Sequence, residues 1–261
     1  MINKLKVNMK IKQFRLFFLL SFILFFQACS FNKTTIKSIA QTNSATQIEE
    51  NKNEILKCLI KYKQKLDLRN PYSYNKKIKN DIVHQIDLNQ DYINLIQNEK
   101  KLTKYNEYFY YAFLENEVKN RNDFLIIGIY KLIFKAFSLE KEHQFTAIEY
   151  NQYDMLKLYE YLQVVRWKIR TAKDKNGNYL FNTWQNNWQL ELSKKDDRDL
   201  NIIKELEYIK NKKESIYDHS NFSFEVLISQ MLINIEHSLR KINIEPYDMS
   251  ISALKSFVFI L

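Results

Sequence analysis

The sequence predicts an all-α domain, and three observations carry that expectation. Apolar residues recur every three or four positions from Ile48 almost to the C-terminus, which is the period of an amphipathic helix and not of a strand. Only two glycines and two prolines occur in 261 residues, too few for a turn-rich sandwich or a glycine-rich phosphate loop. At 46% apolar and 27% charged, the chain has ample material for a buried core. The expectation is one irregular domain of about eight helices, with a possible short hairpin near Asn176-Gly177.

Each element follows from local pattern. Ile48, Ile55, Leu59, Tyr62 and Leu66 mark one face of a first helix, stopped near Asn70-Pro71. Ile78, Ile82 and Ile86 recur every four residues in a second. Tyr92, Leu95, Ile96 and Glu99 suggest a third, or a continuation. Thr103 is placed to cap a helix carrying Tyr105, Tyr108, Phe109, Ala112 and Phe113. Asp123 is placed to cap the next, FLIIGIYKLIFKAF, which is apolar almost all round and therefore central. With Lys131 and Lys135 in it, and only fourteen residues, it is no membrane span. Tyr153 to Ile169 forms another helix, with Leu156, Tyr159, Leu162 and Val165 inward, ending before the turn Asp174-Lys175-Asn176-Gly177-Asn178. Phe181, Trp184, Trp188 and Leu192 fit a helix capped by Asn182 or Thr183, and partly fit a strand. Asp196 to Asp199 starts a helix bearing Leu200, Ile203, Leu206 and Ile209. Ser220 or Ser223 opens another, FSFEVLISQMLINIEHSLRKI, and Pro246 breaks the chain before a last apolar segment ending SFVFIL. A tetratricopeptide solenoid is not expected, because no 34-residue period is present.

The N-terminus has a different character. Lys4, Lys6, Lys10, Lys12 and Arg15 form a positive region without acids, followed by the apolar run Leu16 to Phe26 and then Phe26-Gln27-Ala28-Cys29. Residues 1–30 resemble the signal peptide and lipobox of bacterial lipoproteins, although Phe26 stands where leucine is usual. The resemblance implies cleavage before Cys29, lipidation of the Cys29 thiol, and membrane attachment through that anchor. Ser30, in place of an aspartate, points to the outer membrane facing the periplasm. Met9 onward is also a complete signal. The expected organisation is a signal peptide over 1–28, the lipidated cysteine and a flexible tether over 29–47, and a helical periplasmic domain over 48–261. A coil of about 18 residues reaches roughly 23 Å.

The charge balance changes once the signal is removed. The whole chain carries 40 basic and 30 acidic residues, a net +10, and five of the basic ones lie in residues 1–29. The mature chain therefore has a net charge of +5, a mixed solvated surface and not a nucleic-acid footprint. Lysine, asparagine, isoleucine, tyrosine and phenylalanine all have A/T-rich codons, which discounts the weight of basic and aromatic content. Cys58, the other cysteine, sits in the apolar pattern with Ile55, Leu59 and Tyr62 and is expected to be a buried inert thiol.

No motif makes the chain an enzyme. Asp81/His84 and Glu140/His143 each pair a carboxylate with an imidazole at helical spacing, but they do not make a metal site without further inward ligands, and no metal or other cofactor is expected. Ser252-Ala253-Leu254-Lys255 matches S-x-x-K without its partner motifs, a coincidence expected in a chain this rich in serine and lysine. Glu214-Ser215 resembles the Glu-Ser pair of lytic transglycosylases but lacks the glycine-bearing segment that follows it there. The candidate binding segment is Asp174 to Glu191, in which Trp184 and Trp188 join the amides of Asn182, Gln185 and Asn187. Tryptophan faces stack on sugars or flat apolar groups, and amides hydrogen-bond hydroxyls or peptide backbone. The same spacing also fits a buried stripe, with Trp184 inward and Trp188 at the rim. The tyrosine clusters 108/110/111 and 159/161 read as core. The functional expectation is a lipid-anchored, non-enzymatic envelope protein that binds a protein or cell-wall partner. An envelope enzyme or a small-ligand binder is the alternative.

Overall fold

The computed structural model describes residues 33–141, 146–183, 191–194, 200–211 and 223–246. Among them are six helices of eight residues or more: α1 (Lys33–Arg69), α2 (Lys79–Asp87), α3 (Tyr105–Ala112), α4 (Arg121–Ala136), α5 (Gln152–Thr171) and α6 (Ser223–Lys241). The all-α class holds, with two fewer helices among the described residues than expected. Helix α1 ends at Arg69, immediately before Asn70-Pro71, as the proline requires. Its predicted inward residues Ile48, Ile55, Leu59, Tyr62 and Leu66 are all fully buried.

The helices pack in two antiparallel runs. Asn51 bonds Ser238, Cys58 lies 3.5 Å from Gln230, and Tyr62 meets Phe224 edge-on at 5.3 Å, so α6 runs back along α1. Helix α5 lies against the other flank of α6, through Tyr159–Glu236 at 2.8 Å and Arg166–Glu225 at 2.5 Å. Helix α4 is buried on all sides from Arg121 through Ile133, as its unbroken apolar run predicts. Gly128 lets α3 approach it closely, since a Cβ there would stand 2.9 Å from Phe109 Cε1 and 3.0 Å from Tyr108 Cβ.

Five expectations are corrected. The coil expected over residues 29–47 is helical from Lys33 on, because Ala45 and Ile48 extend the α1 stripe and dock in the core. The helix expected over Tyr92–Glu99 is instead a tight hairpin, β1 (Ile96–Gln97) pairing antiparallel with β2 (Lys100–Lys101). Asn98 and Glu99 both take positive φ, 50° and 63°, which is the backbone of a mirror-image hairpin turn and ends any helix. Thr103 is not the cap of α3, whose N-terminal flank is Lys104. Glu107 reaches back instead to accept the amides of Thr103 and Lys104 at 3.0 Å each. Asp123 lies inside the first turn of α4, after a left-handed Asn120. At the far end, residues expected to continue as one helix form a 3-10 segment, Leu200–Glu205, and a single α-turn, Glu207–Lys210.

The Asn176-Gly177 turn does form a minimal hairpin. Lys173 and Tyr179 make an isolated antiparallel bridge, and Gly177 takes φ +81°. The Asp174 carboxylate accepts the amides of Asn176 and Asn178 at 2.8 and 2.9 Å, and those bonds hold its pKa below the usual carboxylate value. No helix of the described residues is long and apolar enough to cross a membrane.

Candidate functional site

Two helices present matched stripes to one trough. On α3, Asn106, Phe109, Tyr110 and, just past its end, Phe113 stand at i, i+3, i+4 and i+7. On α5, Tyr161, Val164, Val165 and Lys168 repeat the same spacing. That spacing gives each helix one continuous face. Tyr105 meets Tyr161 edge-on at 5.4 Å, and Lys168 Nζ stands 5.4 Å from the Phe113 ring centroid, so the two helices run in the same direction. Between them lies a groove of about 670 Å³.

The groove has an apolar end and a charged end. Phe109 and Tyr161 stack at 6.4 Å with 20° between their planes, and Val164 and Val165 continue that wall. Phe113 carries the wall onward and meets the fully buried Phe181 edge-on at 5.7 Å. Lys168, Lys175 and Glu115 gather at the other end. Arg121 fixes the rim there: its guanidinium donates to the carbonyls of Ala112 (2.9 Å), Leu114 (2.7 Å) and Asn116 (2.7 Å). The first is a terminal carbonyl of α3, and the other two belong to the segment that follows it. The Asp174 turn sets Lys175 at the mouth.

Most of the predicted binding residues are not among the described ones. Trp184, Gln185, Asn187 and Trp188 fall outside the described residues. Asn182 is exposed and does not line the groove. Its backbone is clamped to the end of α1, with its N–H donating to Asn70 Oδ1 at 2.9 Å and its carbonyl accepting Asn70 Nδ2 at 3.1 Å. This pins Phe181 beneath Phe113. Sequence reasoning missed Phe109, Phe113, Val164 and Lys168 as a set. It singled out the tyrosine clusters as core, and the structure divides them. Tyr108 is buried, its hydroxyl donating to the Leu102 carbonyl and accepting the Leu95 amide, while Tyr159 binds Glu236. Tyr110 and Tyr161 face the groove.

A second polar constellation is fully enclosed. Lys63 Nζ donates to Asp67 Oδ2 at 2.8 Å and Asp123 Oδ1 at 3.2 Å, with none of the three open to solvent by more than 2%. Asn122 Nδ2 holds the other Asp67 oxygen at 3.1 Å, and the Asn75 amide holds the other Asp123 oxygen at 2.7 Å. The cluster fastens α1, the 70–78 loop and the start of α4 at one point. Burial pushes the Asp123 carboxyl up, against the opposing pull of Lys63. Having no path to solvent, this cluster is built to hold the fold and not to meet a substrate.

Asp81 and His84 are both exposed, and His143, Ser252, Lys255, Glu214 and Ser215 lie outside the described residues. Among the described residues no three His, Cys, Asp or Glu side chains come together as a metal site would need. Cys58 is buried and free, and burial raises its thiol pKa, which makes it unreactive. Among the described residues, no serine, cysteine or histidine lines the groove. It offers aromatic faces, two ammonium groups, one carboxylate and two amides, which is the equipment of a binding site. No protein-family model, no curated protein and no solved structure matches this chain.

Proposed function

We propose that this chain is a lipid-anchored protein of the bacterial cell envelope that acts by binding and not by catalysis. The observation that carries the reading is the groove between α3 and α5, an aromatic trough with polar groups at one end. Its anchor is the Cys29 thiol, placed in the outer membrane with the domain facing the periplasm. Helix α1 begins at Lys33, four positions after Cys29 in the sequence. A protein or cell-wall partner was the first expectation. The concave shape of the groove favours the small-ligand alternative, because a trough of this size encloses a ligand better than it docks a flat surface.

In-cell crosslinking tests the reading. A photoreactive phenylalanine analogue at Tyr110, on the groove rim, should give a defined adduct that disappears when Val164→Trp fills the trough. The same analogue at Tyr72, 94% exposed and outside the groove, should not give it. Identical adducts from both positions would sink the proposal.

A further inference from the structure

We infer that the groove takes a small amphipathic anion: a single carboxylate-type head on an apolar body the size of one or two rings or a short chain. This rests on the reading of the groove as the binding site, and it names the ligand class. Three observations carry it. The volume, about 670 Å³, falls within the roughly 300–1,000 Å³ of small-ligand pockets. Polarity is graded along it, from Phe109, Tyr161 and Val164 at one end to Lys168 and Lys175 at the other. The third observation is the state of those two lysines.

Elsewhere, several cations have close partners: Arg121 has three backbone carbonyls, and others have carboxylates. Lys63 has Asp67 and Asp123, Lys131 has Asp91 at 2.6 Å, Lys135 has Asp154 at 3.0 Å, and Arg166 has Glu225 at 2.5 Å. Among the described residues, neither Lys168 nor Lys175 has a carboxylate within 4 Å. Lys168 rests its ammonium over the Phe113 ring, which holds the charge at the groove mouth and shields one side of it from water. A ligand carboxylate placed there supplies the missing counter-charge while its apolar body lies along the aromatic wall. Glu115 on the same rim repels a second negative charge, which selects a monoanion over a dianion.

Photolabelling of the full chain in washed membranes tests this. The probe is 4-benzoylbenzoate, and the neutral comparator is 4-benzoylbenzamide. The acid should label α3 and α5 peptides about tenfold more than the amide, as two partly exposed ion pairs would give. Lys168→Gln with Lys175→Gln should bring that ratio close to one and leave amide labelling unchanged. Val164→Trp should remove both labels. Competition by decanoate or by 1-naphthoate tells a chain body from a ring body, and displacement by either supports the class. Equal labelling by acid and amide in the wild type would overturn the anion assignment while leaving the groove a binding site. No labelling of α3 or α5 by either probe would overturn the groove reading itself.

Discussion

Replacing Lys63 by methionine should cost about 3–5 kcal/mol at neutral pH, the range for removing one partner from a buried ion pair. The structure explains why so much is expected. Lys63 Nζ is the only cation within hydrogen-bond distance of Asp67 and Asp123 among the described residues, at 2.8 and 3.2 Å. Methionine fills the space of the lysine stem, so the cavity contribution is small and the loss is mostly electrostatic. Each carboxylate keeps one donor, Asn122 Nδ2 for Asp67 and the Asn75 amide for Asp123, but neither keeps a counter-charge. Protonating one carboxylate relieves the variant, so its deficit should shrink between pH 7 and pH 5. The triple variant Lys63→Met, Asp67→Asn, Asp123→Asn, with no buried charge left, should recover most of the loss. Urea denaturation followed by tryptophan fluorescence measures all three proteins. A Lys63→Met deficit below about 1 kcal/mol at pH 7, or one that does not respond to pH, would refute the enclosed and charged character of the cluster.

Four further outcomes follow from the same structure. Burial raises the Asp123 pKa, so its stabilising contribution is fully present below the unfolded carboxylate pKa and is lost as pH rises through the folded value; Asp123→Asn should flatten that slope in pH-dependent melting. The Tyr62 hydroxyl is buried without a hydrogen-bond partner among the described residues, so Tyr62→Phe should raise stability by about 1 kcal/mol in urea denaturation. Gly128→Ala should lower stability by roughly 1 kcal/mol, because crowding against Phe109 and Tyr108 outweighs the better helix propensity; benzoylbenzoate labelling should fall with it as Phe109 shifts in the groove wall. Cys29→Ala should abolish incorporation of labelled palmitate and release the chain from membranes, and a variant that stays membrane-bound would contradict the anchor.

Long periodic elements were legible in the sequence, and sites assembled from separated elements were not. The five inward residues named for α1 are all fully buried, and the apolar run from Phe124 was read as central, which α4 is. The 92–99 segment misled because Tyr92, Leu95, Ile96 and Glu99 match a helical period over too few residues to be decisive. Ile96 is in fact 70% exposed, and the turn depends on two positive φ angles that the residue types do not demand. The enclosed cluster left a usable signal. Lys63 follows Leu59 by four and precedes Leu66 by three, so a lysine stood on the apolar face, and Asp67 followed it by four. Its third member, Asp123, comes from 56 positions further on and only the tertiary fold brings it there. The groove was hidden for the same reason. Phe109 and Tyr161 are ordinary inward aromatics on their own helices, and only the side-by-side placement of α3 and α5 makes them one wall.

The central claim, that the chain works by holding an anionic amphiphile between α3 and α5, is tested most directly by what the protein carries. The full chain, purified from its own membranes and then denatured, should release a monoanionic amphiphile at near-stoichiometric amount, read by mass spectrometry, and the Val164→Trp chain should release little of it. The same molecules at the same levels from both chains would contradict the claim.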